Sequence, residues 1–275
     1  MPSLPLRQHL RLPDGLTLHY QEQGQGPQTL LFIHGSGPGA SGHSNFKFNY
    51  PWFAERGFRC IVPDLPGYGH SDKPADREYV LDFFVDALHG FLQALELQRV
   101  VLVGNSLGAA IAMKLVLDHP GIASHLVMMG PGGLEERETY FRMPGIQRMV
   151  TDFAGGFLDR EGMRGLMKLL VHDPVHVTED LLDERVPIVA QQPKEVLATM
   201  RVPNLTERLP ELTLPVLGFW GTDDQFCPAS GASKVLERCP NAEFVLVNRC
   251  GHWVMVEHTA LFNHATLDFL QRHRA

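Results

Sequence analysis

The chain has 275 residues, 44% of them apolar and 20% charged, a balance that excludes disorder as its main state and accommodates one large domain with an insertion as readily as two domains. Its 24 Lys and Arg against 31 Asp and Glu leave a formal charge of −7 with no basic run, so a nucleic-acid partner is not expected, because phosphate binding needs clustered positive charge. The cysteines at 60, 227, 239 and 250 form neither a CxxC pair nor zinc-finger spacing, MPSLPLRQHLRLPDG has no apolar signal core, and no apolar run is long enough to cross a bilayer, which together lead to the expectation of a cytoplasmic protein with reduced thiols and no membrane partner.

Residues 15–22 (GLTLHYQE) alternate apolar and polar, as a half-exposed strand does. After a Gly-rich turn at 24–27, TLLFIHG at 29–35 is a short apolar run bounded by turn residues, which suits a buried strand. FRCIVPDLPGYG at 58–69 repeats that design, as do VVLVGNSLG at 100–108, HLVMMGPGG at 125–133, PVLGFWGTDD at 215–224 and EFVLVNRCGH at 243–252. Helical spacing fills the gaps at 79–97, 107–118 and 260–272. Strands alternating with helices predict an α/β protein with a mostly parallel sheet covered on both faces. The stretch from 134 to 209 breaks the alternation: it contains short helical patterns separated by Pro and Gly and no strand. The chain is therefore expected to form a core from 1–133 and 210–275, with 134–209 as a helical insertion.

The strongest chemical signal is Gly104-Asn105-Ser106-Leu107-Gly108 between a strand and a helix. That is the setting of a nucleophile elbow, in which a sharp turn exposes the Ser106 hydroxyl and the following helix aims its N-terminal amides at developing negative charge. A serine nucleophile needs a base, and the base needs an orienting acid; on this scaffold both come after late strands, acid before histidine. Asp223 or Asp224 after PVLGFWG and His252 after EFVLV meet that order, and physics alone does not separate the two adjacent aspartates. The loop His34-Gly35-Ser36-Gly37-Pro38-Gly39 can turn the amides of Ser36 or Gly37 toward an oxyanion, with the Leu107 amide as partner. His34 is expected to bond loop backbone. The same loop holds Gly37, Gly39 and Gly42 in GxGxxG spacing, with Asp64 ending the next strand. Pro38 interrupts the turn, and the segment SNFKFNYPWF, with Pro51 inside it, is a poor helix start, so a dinucleotide cofactor is not expected. No HExxH or Cys/His ligand spacing predicts a metal.

With these motifs in order, the chain resembles the α/β-hydrolase superfamily over nearly its whole length, and within it the meta-cleavage product hydrolases, which hydrolyse a carbon–carbon bond in ring-fission products of aromatic degradation. The resemblance rests on HGSGPGASGHSNF at 34–46, PDLPGYGHSDKP at 63–74, GNSLG at 104–108, MGPGGL at 129–134 and CGHW with EH at 250–258. It implies an α/β-hydrolase fold, with 134–209 as a cap over an apolar pocket. It also implies Ser106 as nucleophile, His252 as base and Asp224 as the acid, since Gly221 and Pro228 frame Asp224 in the family's GxxDxxxP pattern. Asn45 and Asn105 would line the polar end of the pocket, Trp253 would pack beside the base, and Arg185 would bind the dienoate carboxylate. Two departures stand out: Ala109 replaces a usual Gly, and Val186-Pro187 comes after Arg185 in place of a bulky residue.

The function expected is hydrolysis of 2-hydroxy-6-oxo-hexa-2,4-dienoate-type substrates without a cofactor. A carboxylesterase using the same triad is the alternative, and an exposed Arg185 paired with Asp183 or Glu184 would favour it. The expected partner is a small-molecule substrate; a homodimer is left open, and the substrate's tail is not legible.

Overall fold

The computed structural model describes residues 6–154 and 158–273. Eight strands form one sheet: β1 (Leu6–Arg11), β2 (Thr17–Gln23), β3 (Thr29–Ile33), β4 (Arg59–Pro63), β5 (Val100–Asn105), β6 (Ala123–Met129), β7 (Val216–Gly221) and β8 (Ala242–Val247). Their order is β1-β2-β4-β3-β5-β6-β7-β8. β1 and β2, and β2 and β4, pair antiparallel; all other pairs are parallel. Every residue of β3, β5 and β7 is buried, which is why these strands are unbroken apolar runs in sequence. β1 (LRQHLR) lies at the sheet edge and is largely exposed, so it lacks the apolar signature that marks the others.

The first helices are α1 (Gly42–Phe46), α2 (Tyr50–Ala54), α3 (Leu81–Ala94) and α4 (Leu107–Asp118). α3 turns Leu81, Phe84, Val85, Leu88, Phe91 and Leu92 inward, the three- and four-residue stride of one helix face. α4 packs against α3, β5 and β6 and is buried almost all round, which its Ala and Gly residues permit. α1 and α2 correct the sequence expectation of a poor helix start. Ser41 and Ser44 form a reciprocal capping box at α1, and Pro51 falls in the first turn of α2, where its missing N–H costs nothing.

Between β6 and β7 the chain is helical: α5 (Arg137–Tyr140), α6 (Pro144–Ala154), α7 (Arg160–Met167), α8 (Glu179–Val189) and α9 (Glu195–Ala198), with 3-10 turns at Pro174–His176 and Thr206–Glu211. Then α10 (Gly231–Arg238) makes the crossover from β7 to β8, and α11 (Val254–Glu257) and α12 (Thr259–Arg272) end the described chain. The result is an α/β-hydrolase fold, with a mostly parallel sheet flanked by helices. Among the described residues no helix is long and apolar enough to cross a membrane.

Candidate active site

The turn from β5 into α4 places Ser106 at φ 56°, ψ −116°. Left-handed backbone is unfavourable for a residue with a Cβ and persists only where its surroundings impose it. Here the flanking glycines allow the close approach: a Cβ on Gly108 would run into the Ile33 carbonyl, and one on Gly104 into that of Gly108. The Ser106 amide is tied to the Met129 carbonyl at 2.9 Å.

The loops after β7 and β8 bring Asp224 and His252 together, with His252 Nδ1 2.7 Å from Asp224 Oδ2. Three further groups donate to the same carboxylate: Trp220 Nε1 to Oδ2 at 3.0 Å, and the backbone N–H groups of Phe226 and Cys227 to Oδ1 at 2.7 and 2.9 Å. A carboxylate so surrounded acts as acceptor only. It therefore holds the His252 proton on Nδ1 and leaves Nε2 with a free lone pair. Asp223 points elsewhere and pairs with His172 at 2.7 Å, so the structure selects Asp224. Ser106 and His252 line one cavity.

Two contributors escaped the sequence reading. Trp220 looked like a core residue of its strand, yet its ring N–H orients the acid. Gly130, at φ 46°, carries the backbone past the pair so closely that a Cβ would lie 2.8 Å from His252 Nδ1 and 2.9 Å from Asp224 Oδ2. Gly130→Ala is expected to lower kcat about 100-fold by displacing the imidazole while the protein stays folded by circular dichroism. A loss under threefold would show that the pair tolerates the methyl group.

Across the cavity, the backbone N–H groups of Ser36, Gly37 and Leu107 have no acceptor among the described residues, while Ser36 and Leu107 line the cavity that reaches Ser106. His34 is buried behind this loop. Its Nδ1 lies 2.8 Å from the Gly35 carbonyl, and its Nε2 accepts from the Leu65 amide at 3.0 Å. Burial pushes its pKa down to about 4, so the ring is neutral at pH 7 and braces two loops. Asp64 accepts from the Gly42 and His70 amides and faces His19, and a Cβ on Gly39 would collide with the Arg185 carbonyl. The GxGxxG spacing thus records loop packing, with the acid already occupied.

Arg185, on α8, is 1% exposed. It is not paired with its acidic neighbours: Glu184 binds Lys47 and Asp183 binds Arg160. Its Nη1 donates to the Pro38 carbonyl at 3.1 Å and its Nη2 to Asn45 Oδ1 at 2.8 Å. Its Nε has no partner among the described residues, and its guanidinium carbon lies 4.9 Å from the Trp253 ring. Burial lowers its pKa to about 10, which leaves it charged at pH 7. Asn45 Nδ2 donates onward to Asn105 Oδ1 at 3.3 Å, and Asn105 to the Met129 carbonyl at 3.1 Å. A buried cation without a counter-ion is costly, and an anion placed in the cavity beside it would lower that cost.

Two cavities meet at Ser36 and Ser106. A narrow one of about 30 Å³ is lined by Asn45, Asn105, Arg185, His252 and Trp253. A wider one of about 360 Å³ runs the other way under Tyr140, Met149, Leu197, Met200 and Val202. The arrangement sets a buried cation on one side of Ser106 and a wider, mostly apolar space on the other.

A family model described as alpha/beta hydrolase fold matches residues 28–259. The chain is similar to the 2-hydroxy-6-oxononadienedioate/2-hydroxy-6-oxononatrienedioate hydrolase of Paraburkholderia phymatum, with 36% identity over 265 residues, 93% of this chain and 91% of that protein. It is 34% identical to the 2-hydroxy-6-oxo-6-phenylhexa-2,4-dienoate hydrolase of Burkholderia cepacia, over 92% of this chain and 91% of that one. Among solved structures, the meta-cleavage product hydrolase of Pseudomonas fluorescens IP01, in a serine-to-alanine form complexed with acetates, superposes with a TM-score of 0.85 at 27% identity, covering 96% of this chain and 97% of that one.

Proposed function

The chain belongs to the α/β-hydrolase family, and from that premise we propose that it is a serine hydrolase cleaving the carbon–carbon bond of 2-hydroxy-6-oxo-hexa-2,4-dienoate-type ring-fission products. The observation that carries this reading is Arg185, a buried guanidinium with no carboxylate partner among the described residues, lining the cavity of Ser106 and His252. A simple ester gives that cation nothing to bind, whereas a dienoate carboxylate neutralises it.

The head carboxylate binds Arg185, and the enol proton moves to C5 to give the 2,6-dioxo form. His252 Nε2 takes the Ser106 proton as Oγ adds to C6, and the amides of Leu107 and of Ser36 or Gly37 stabilise the oxyanion. Collapse breaks the C5–C6 bond. The electron pair spreads to the C2 oxygen beside Arg185, and His252 returns the proton, releasing the hydroxydienoate. Water, activated by His252, then frees the tail acid from Ser106. The head cavity, at about 30 Å³, has little room beyond the carboxylate, so substrate entry requires Ile146 and Met149 of α6, which line both cavities, to move back. Residues 134–209 act as the cap that makes this movement. The four cysteines are free and buried, which supports a reducing, cytoplasmic setting.

The test compares kcat/KM for a ring-fission dienoate and for p-nitrophenyl esters of two chain lengths, with Ser106→Ala as the blank. The dienoate is expected to be preferred at least about 100-fold, or about 2.7 kcal/mol of transition-state discrimination. A preference for the esters would overturn the reading in favour of a carboxylesterase.

A further inference from the structure

The wide cavity leaves the tail's chemistry open, because its described walls are mostly apolar while two arginines share its lining. Arg137 of α5 and Arg201, just after α9, both border the cavity, and no carboxylate does so among the described residues. Arg137 lies over the Phe141 ring, 4.8 Å from its centroid, and Phe141 is itself 42% exposed at the same cavity. Arg201 Nη1 donates to the carbonyls of Met200 and Ala198 at 2.8 and 3.3 Å. Its Nη2 and Nε have no acceptor among the described residues. Neither guanidinium has a carboxylate within 4.0 Å among those residues, and both are exposed, so they stand where the cavity meets solvent, while Ser106 lines both this cavity and the narrow one beside Arg185.

We propose that Arg137 and Arg201 form a second anion subsite, which selects substrates whose apolar tail ends in a carboxylate. This deepens the dienoate reading and rests on it for the identity of the head. The cavity's size adds a length requirement. A volume of about 360 Å³ far exceeds a two-carbon tail, and a carboxylate on so short a tail would be stranded among Leu107, Ile146 and Met149 with its charge desolvated. Only a longer tail carries its charge across the apolar stretch to the arginines. Arg185 and the arginine pair would then recognise the two ends of one dianionic substrate, with the scissile bond between them.

The tail can be tested without the dienoate head, because the acyl group of an ester takes the place of the tail once it is transferred to Ser106. Two series of p-nitrophenyl esters, alkanoyl and ω-carboxyalkanoyl, with acyl chains of four to ten carbons, are compared in kcat/KM. In the wild type the terminal carboxylate is expected to lower kcat/KM at four carbons and to raise it about tenfold over the alkanoyl ester at some longer length. Arg137→Gln/Arg201→Gln should remove that gain while leaving the alkanoyl series within about twofold. High salt should shrink the gain, since exposed charges are screened. A carboxylate that is unfavourable at every length, or a gain that survives in the double variant, would overturn the proposal. The dienoate reading is judged separately by the wild-type preference for a dienoate over esters, so either can fail while the other stands.

Discussion

Asp224→Asn is expected to lower kcat about 10⁴-fold on dienoate and ester alike, with KM little changed. The reason lies in how the carboxylate is held. Its Oδ1 accepts two backbone N–H groups, from Phe226 and Cys227. An asparagine must keep its carbonyl oxygen there, because an amide NH₂ would oppose both donors. Its NH₂ then falls at the Oδ2 position, facing Trp220 Nε1 and His252 Nδ1. The first contact is donor against donor. The second is relieved only if His252 shifts its proton to Nε2, which removes the lone pair that must accept the Ser106 proton. The variant should also lose stability, but no more than about 1 kcal/mol, because Trp220 Nε1 keeps a second acceptor in the Cys227 carbonyl at 3.1 Å. Urea unfolding measured beside kcat separates the two effects: a folded variant within tenfold of wild-type kcat would show that Asp224 does not set the His252 tautomer.

Arg185→Met is expected to reduce dienoate kcat/KM by 10²- to 10³-fold, about 3–4 kcal/mol, and to change turnover of p-nitrophenyl acetate by less than about threefold. Its effect on stability should be small. Burial lowers the Arg185 pKa to about 10, so the folded state disfavours the charged form. That penalty, about 3 kcal/mol, is present at all pH values below about 10 and is relieved only as pH rises past it. Methionine removes the penalty and keeps most of the volume, while the Pro38 carbonyl and Asn45 Oδ1 lose their donor. The two effects offset to within about 2 kcal/mol. Sorbate, a dienoate without the 6-oxo group, should raise the wild-type Tm by about 3 °C at saturating concentration and leave the variant's unchanged. An equal rise in both proteins, or equal loss on dienoate and ester, would remove Arg185 as the carboxylate anchor.

Much of the site was legible in the sequence because its chemistry depends on local backbone. Ser106 needs a strained turn, the turn needs Gly104 and Gly108, and the strand and helix on either side carry their own hydrophobic periods. Asp224 and His252 sit at strand ends, where apolar runs stop at Gly and polar residues. The family resemblance that these motifs carry agrees with the family match, as does the expected fold. Elements without a local signature were missed. β1 is polar because it lies at an exposed edge, and the capping box of Ser41 and Ser44 starts a helix that its later residues do not advertise.

The sequence by itself determined the mostly parallel sheet, the sharp turn at Ser106, the placing of an aspartate and His252 in loops after late strands, and the helical spacing that follows β6, since each is set by residue type and spacing along the chain. The tertiary structure decided which of two adjacent aspartates meets His252, that Trp220 and Gly130 serve that pair, and that Arg185 is buried with no carboxylate partner among the described residues. Those facts depend on which loops approach one another across 28 residues for Asp224 and His252 and 140 for Arg185 and Asn45, and no periodicity encodes such an approach. The Asp183 and Glu184 that could have neutralised Arg185 are its chain neighbours, yet on a helix adjacent residues point in different directions, and folding turned them to Arg160 and Lys47 while the guanidinium entered the cavity.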